Sequence, residues 1–260
     1  MNQEPVICLN ACDRDIVAGM AMLDWCFELD GSQSYDVIIG RDQSVNNFLF
    51  NQFLALARRA FGGVSVYTYT RPSRVTWPHI GNAVWQNAAR LMREENRPWF
   101  WMENDCVPVK PKWIPVLFGE YERAVAAGRP IMGPQIPGPG YVNGVAFYPS
   151  NTPELVPLCM EADEIPWDYE TRNYPNLLWD CPKIQQVWRI ENNRPSFTSG
   201  GDAPSFKTQQ NVDDWLDPDV YLFHRVKDGS LIHRLRERRN AASLMAALDS
   251  RGGGGAVMKF

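Results

Sequence analysis

Over its first hundred residues the chain alternates short apolar runs with stretches whose apolar residues recur at helical spacing, and this alternation excludes most folds. The runs Pro5–Asn10, Tyr35–Gly40, Val64–Thr70 and Trp99–Met102 have the length and breaker-bounded character of buried strands. Between them Ile16, Met20, Leu23 and Phe27, then Leu49, Phe53, Leu56 and Ala60, then Ile80, Val84, Ala88 and Leu91 mark three helices. Asp15 reads as an N-cap or first-turn acid of the first, and Gly62-Gly63 as the close of the second. Strand, helix, strand in this order implies right-handed crossovers, a mostly parallel sheet and a crevice at its carboxyl edge: an α/β fold.

Each predicted strand ends in charge. Asp13 and Arg14 follow the first, Arg41 and Asp42 the second, Arg71 the third, and Glu103 and Asp105 the fourth. Because ligands of open α/β sheets bind at this edge, the four ends together point to a site, although one charged strand end alone means little. The fourth end, ENDCVP, sets two carboxylates one residue apart before a proline break. Such a pair is placed to hold a divalent cation and, through it, a diphosphate, whereas two acids that merely solvate a loop would need no partners.

The second half is less regular. Ile114, Leu117, Tyr121 and Val125 predict a helix running to Gly128, and Pro130–Pro134 a further strand. The segment GPQIPGPGYVNGVAFYP is either a hairpin with an ordinary turn or a place where backbone approaches a bound group, and apolar character resumes at Val145–Tyr148. EADEIPWDYETRNYPN, from Glu161, has the acidic and aromatic make-up of a functional loop. Ile184–Arg189 predicts a short strand, and Arg194–Gln210 a mobile loop that closes over a ligand. Tyr221–Phe223 then runs into His224-Arg225-Val226-Lys227-Asp228, another strand tip loaded with polar chemistry. Leu231–Ala247 reads as a terminal helix whose Arg234, Arg236, Arg238 and Arg239 form a basic face. The expected division is a catalytic unit over 1–232, the basic helix over 233–251 and a flexible tail over 252–260.

Composition narrows the function classes. A chain of 260 residues buries a sizeable core, and a net charge of -4 argues against a surface coated for nucleic acid while leaving room for a local basic patch. The six cysteines lack paired short spacings and the three histidines are too few to complete zinc sites with them, so reduced, packed thiols are expected. No run is long and apolar enough to span a membrane, and the amino terminus lacks a signal-peptide layout, which predicts a cytoplasmic protein. Trp77, Trp167, Trp179 and Trp215, four of ten tryptophans, lie beside turns and acids, where a ring can stack on a sugar or a base.

Taken together, the element order, ENDCVP, NGVAFYP, WDYE and HRVKDGSL resemble a glycosyltransferase of the GT-A fold over roughly residues 5 to 232. The resemblance implies a Rossmann-like nucleotide-binding half flanked by helices, a nucleoside-diphosphate sugar donor (a UDP-sugar first) and a divalent metal, Mn2+ or Mg2+. It assigns Asp105 and His224 as metal ligands. Glu103 stands where aspartate is commoner in the family, and it either touches the metal or holds the donor's ribose. Asp13, Arg14, Asp42, Arg71, Glu103 and Lys227 are the expected donor-binding set, and Asn143, Gly144 and Trp167 the acceptor side. HRVKDGSL also resembles glycosyltransferase-like proteins of bacteriophages that decorate hydroxymethylated pyrimidines in DNA, which makes DNA one expected acceptor and the host cytoplasm the setting. A base inside a duplex would then have to be flipped out. A saccharide or lipid-linked acceptor is the alternative.

The chemistry needs these residue types. A departing nucleoside diphosphate gathers negative charge that a cation on Asp105 and His224, with Lys227 beside it, can neutralise. In an inverting enzyme the acceptor hydroxyl gives its proton to a carboxylate, for which Asp168, then Glu170, are the candidates. A nucleotidyltransferase shares the acidic strand ends, but the chain lacks a Gly-rich, Lys-bearing loop near its start. A non-catalytic carbohydrate- or nucleotide-binding module would need only the aromatic residues.

Overall fold

The computed structural model describes residues 4–69, 71–74, 76–136, 138–186, 189–191, 194–196 and 215–252. Its first half follows the predicted alternation: β1 (Val6–Ala11), α1 (Ile16–Asp30), β2 (Gln33–Arg41), α2 (Asn47–Ala60), β3 (Phe61–Thr68), α3 (His79–Glu95) and β4 (Trp99–Trp101). β1 pairs in parallel with β2 and β4, and β2 in parallel with β3. β5 (Val107–Pro108), α4 (Trp113–Ala126), β6 (Ile131–Gly133) and β7 (Ala146–Tyr148) follow, then the short helices α5 (Thr152–Leu155), α6 (Pro157–Glu161) and α7 (Trp167–Glu170). β8 (Leu178–Asp180), β9 (Ile184–Gln186), the hairpin strands β10 (Arg189–Glu191) and β11 (Arg194–Ser196), β12 (Leu222–His224) and α8 (Ser230–Gly252) complete the order. The central sheet has seven strands in the order β3-β2-β1-β4-β7-β6-β8, with β7 antiparallel to both neighbours.

Both faces of this sheet are covered, and the strands show it residue by residue. Along β1, Ile7 and Leu9 enter a core with α1, α2 and α4, while Val6 and Cys8 enter one with α3 and α7; in β4, Phe100 takes the first side and Trp99 and Trp101 the second. A strand buried on both faces reads as a continuous apolar run, as both do. The second core holds an aromatic stack in which Trp85 lies on Trp167 with centroids 4.3 Å apart and planes 8° apart. All six cysteines are free thiols and five are buried. Among the described residues no helix is long and apolar enough to cross a membrane.

Several local expectations are corrected. Gly62-Gly63 does not close α2; both glycines lie in β3, beside the irregular step of β2 between Gln33 and Asp36, where a Cβ on Gly63 would come 2.2 Å from Asp36 Oδ1. The glycine pair answers a close strand approach, not a helix end. Asp15 does stand at the N-cap of α1, but its carboxylate pairs with Arg14 at 2.9 Å and makes no capping bond. The strand expected over 184–189 is seen as β9 over Ile184–Gln186, with 187–188 outside the described residues and Arg189 opening β10. The loop expected over 194–210 begins with β11, and its remainder, 197–210, lies outside the described residues, as does most of the predicted tail. The glycine-proline segment is an excursion closed by the Gln135–Val142 bridge, with Gly138 and Gly140 at positive φ.

A small second sheet, β5-β12-β9, sits beyond the carboxyl edge. β12 pairs antiparallel with β5 and parallel with β9, and Phe223, Val107, Trp25, Leu231, Ile232 and Leu235 bury together beneath it. Trp25 Nε1 donates to the Pro108 carbonyl at 2.6 Å, tying α1 to the same joint. Phe223 is fully buried, so Phe223→Ala is expected to lower stability by about 3–5 kcal/mol. Leu244→Ala, on an exposed position of α8, should change it little; equal shifts of the two in urea unfolding would contradict this packing.

Candidate functional site

The carboxyl ends of β1 to β4 open into a cavity of about 610 Å³. Its wall includes Asp13, Arg14, Asp42, Arg71, Glu103, Asp105, Asn143, Trp167, Asp168, His224 and Lys227, so the structure brings most of the sequence-predicted residues into one place. The volume falls in the range of small-molecule sites.

The centre is built by two chain segments meeting head-on. After β4, Asn104 Nδ2 donates to the Asn10 carbonyl at 2.6 Å, which ties the turn bearing Glu103 and Asp105 to the end of β1. From the small sheet, Arg225 N and Val226 N both donate to the Asp105 carbonyl at 3.1 Å. His224 Nε2 thereby lies 3.1 Å from Glu103 Oε2 and 3.3 Å from Asp105 Oδ1, and Lys227 Nζ lies 3.6 Å from Asp105 Oδ2. Gly144 stands against this cluster, where a Cβ would come 2.3 Å from Glu103 Oε1.

Burial works to raise the Asp105 carboxyl, but the charge and hydrogen bond of His224, with Lys227 behind them, outweigh it and hold the group at about 2. Burial works to lower His224, yet Asp105 and Glu103 push it up to about 9. The His224 imidazolium bridges the two carboxylates, with Lys227 on the far oxygen of Asp105.

These residues fit a divalent cation. Asp105 Oδ1, sealed from solvent, faces His224 Nε2 at 3.3 Å with the Glu103 carboxylate alongside. The carboxylate oxygens suit Mn2+ or Mg2+, and the imidazole nitrogen favours Mn2+ of the two. Cys106 Sγ also lies within 4.8 Å of ligand atoms of Asp105 and His224, but burial pushes its thiol well up, so it stays protonated. A second group, His79 with Asp163 and Glu164, has two exposed acids and secures a loop instead.

That loop carries Asp168. Asn82 Nδ2 donates to the carbonyls of Asp163 and Ile165 at 3.0 and 2.9 Å, and Asn82 Oδ1 accepts from Trp167 N at 2.8 Å. Trp167 is packed beneath, on Trp85. Desolvation, then the Glu103 charge, push the Asp168 carboxyl up to about 7 against the backbone N–H groups of Tyr169 and Gly144. Glu170 lies outside the cavity wall and accepts from Asn173 Nδ2 at 2.5 Å. At the far end Arg71 grips Asp42 with Nε and Nη2 at 2.6 and 2.8 Å, and Arg14 is largely exposed.

No protein-family model and no curated protein matches the sequence. Solved structures do. An active-site variant of LgtC superposes with a TM-score of 0.57 at 10% identity, covering 91% of this chain and 95% of that one. Mouse xyloside xylosyltransferase 1 gives a TM-score of 0.51 at 9% identity, covering 88% and 99%. The bifunctional glycosyltransferase WbbM gives 0.53 at 10% identity over 86% of this chain, which spans 45% of WbbM. The fold is that of GT-A glycosyltransferases. At these identities the likeness concerns the backbone and leaves the chemistry to the residues.

Several cavity residues carry no signal the motifs exposed. Asn10 is the next-to-last residue of β1, Gln186 the last of β9, and Gly81 lies in the first turn of α3, whereas Trp77 is one of the tryptophans expected to stack on a ligand. The rule that flagged charged strand tips finds Asn10 and Gln186 once neutral amides are counted. Trp77 is 60% exposed at the cavity wall.

The Asp168 carboxyl gives a test free of any assay. Its folded value, about 7, lies above the ordinary 3.8, so the folded state holds its proton more tightly and stability declines as pH rises between these values. Asp168→Asn should therefore raise the melting temperature near pH 8 and leave it close to wild type near pH 4. A variant less stable than wild type at the higher pH would contradict this environment.

Proposed function

We propose that the protein transfers a sugar from a nucleoside-diphosphate sugar, with UDP-sugars the first to test, to an acceptor hydroxyl. A divalent cation would be held by Asp105 and His224, with Glu103 beside them. The observation that carries this reading is the meeting of Glu103, Asp105 and His224 at the carboxyl edge of a GT-A sheet, on a cavity of nucleotide-sugar size. When bound, the cation neutralises the charge that gathers on the leaving diphosphate. Lys227 Nζ, close to Asp105 and 45% exposed, adds a point charge for the same phosphates. Asp13, Arg14 and the Asp42–Arg71 pair form the donor's polar wall, in which Arg71 is held rigid by its two bonds.

Asp168 is the proposed base. A carboxyl raised to about 7 is poised near neutrality, where it can accept a hydroxyl proton. Glu170, outside the cavity, takes no part in this assignment. Asn143 lines the acceptor side with Gly144 against Glu103 behind it, Trp167 supports Asp168 from below, and exposed Trp77 offers the apolar face on which a sugar ring can stack. A saccharide acceptor is favoured over DNA, because the expected basic face of α8 is largely engaged. Arg236 pairs with Asp24 and Glu28, Arg239 with Glu28, and Arg234 with Glu237.

Release of nucleoside diphosphate from UDP-sugars with Mn2+ tests the reaction. Asp105→Asn should lower it by at least on the order of a hundredfold while the protein stays folded, since the change keeps volume and removes the charge a hard cation needs. Full activity of that variant with saturating metal would remove the reading, and consumption of a nucleoside triphosphate with pyrophosphate release would replace it with nucleotidyl transfer. Asp168→Asn should reduce turnover on the order of a hundredfold or more with donor affinity nearly unchanged. A loss confined to donor affinity would give Asp168 a binding role.

A further inference from the structure

The orphaned polar atoms around the centre form a pattern. His224 presents Nε2 to the carboxylates, while its other ring nitrogen, Nδ1, is sealed from solvent and has no hydrogen-bond partner among the described residues. Gln186 is 5% exposed, and both its Oε1 and its Nε2 are likewise sealed and without a partner among the described residues. An amide buried in this way loses its hydration with nothing in return. Such a group calls for a partner.

The register supplies one. β9 and β12 run parallel, with Gln186 directly opposite His224. Paired residues of neighbouring strands project to the same face of a sheet, so carboxamide and imidazole stand side by side at the strand tips. Gln186 also lines the cavity, but its oxygen and nitrogen are closed to it, so a ligand in the cavity is a poor candidate for the missing partner. An imidazole that offers Nε2 to a cation carries its hydrogen on Nδ1, and a buried Nδ1–H needs an acceptor.

We propose that Gln186 is a positioning residue for the metal site: a turn of its side chain lets Oε1 accept the Nδ1–H of His224, fixing the ring with Nε2 toward Asp105 and Glu103. The neighbouring Gln185 already spends its amide on the Trp215 carbonyl and Asp217 N, which anchors β9 and leaves Gln186 the nearest uncommitted acceptor along that strand. The inference rests on the metal-dependent reading above and concerns only how the imidazole is held.

The test is the dissociation constant of Mn2+ for the full chain without donor, measured from the electron paramagnetic resonance of free Mn2+. Gln186→Met, similar in shape but unable to accept strongly, should weaken binding about tenfold or more. Gln186→Glu, which keeps an acceptor at that place, should bind within about threefold of wild type, a rescue that a merely structural role would not give. Wild-type affinity in Gln186→Met, or an equal loss in Gln186→Glu, overturns the assignment. Wild-type protein that binds no Mn2+ would instead remove the metal reading itself. A Gln186→Met chain that does not fold, judged by its thermal transition, leaves Gln186→Glu to decide, with tenfold weakening there counting against the proposal.

Discussion

The site depends on one carbonyl. Asp105 O accepts from both Arg225 N and Val226 N, and this double bond of backbone to backbone is where the small sheet is joined to the edge of the large one. Two consecutive amides can reach one oxygen only if the chain bends sharply between them, and Arg225 supplies the bend with φ at 87°. The strain is held by what lies on either side. β12 is clamped between β5 and β9, and Phe223 is buried beneath with Trp25 and Leu231. His224 is therefore fixed by main-chain geometry, and its closeness to Asp105 does not hang on a side-chain contact alone.

Given that joint, the electrostatics follow. Glu103, Asp105 and Asp168 place three carboxyl groups around a partly desolvated cavity, and like charges in such a setting cannot all ionise equally. Asp105, next to His224 and Lys227, is held at about 2 and stays charged, whereas Asp168, desolvated and facing Glu103, is pushed to about 7. Environments that drive two carboxyls apart in this way separate a permanent anion, suited to a cation, from a group able to exchange a proton near neutrality.

Sequence periodicity reveals the first half of this fold because its strands are buried on both faces and its helices on one. The continuous runs of β1 and β4 and the helical spacing of Val84, Ala88 and Leu91 are direct consequences of that burial. Charged strand tips reveal the cavity for the same reason, since parallel strands share one edge. What stays hidden is whatever depends on a neighbour distant in sequence. Gly62 and Gly63 read as a helix stop because nothing local shows that β2 crowds them. Asn82 reads as an ordinary helix residue, although it secures the loop that carries Asp168. Gln186 has no charge to mark it, and only the pairing of β9 with β12 sets it beside His224.

The basic helix shows the same limit for charge. Four arginines within Arg234–Arg239 read as a surface for a polyanion, but the partners of Arg236 and Arg239 come from α1, over 200 residues earlier. Each exposed ion pair stabilises the fold little by itself. They matter here through exchange. A phosphate meeting Arg236 would have to displace Asp24 and Glu28, so the gain from released counterions is offset by acids left unpaired. Lys227 and Arg14 are paired as well, with Asp105 and Asp15, but both stand at the cavity wall. The pairing of Arg236 and Arg239 with the acids of α1 thus counts against a nucleic-acid backbone along α8.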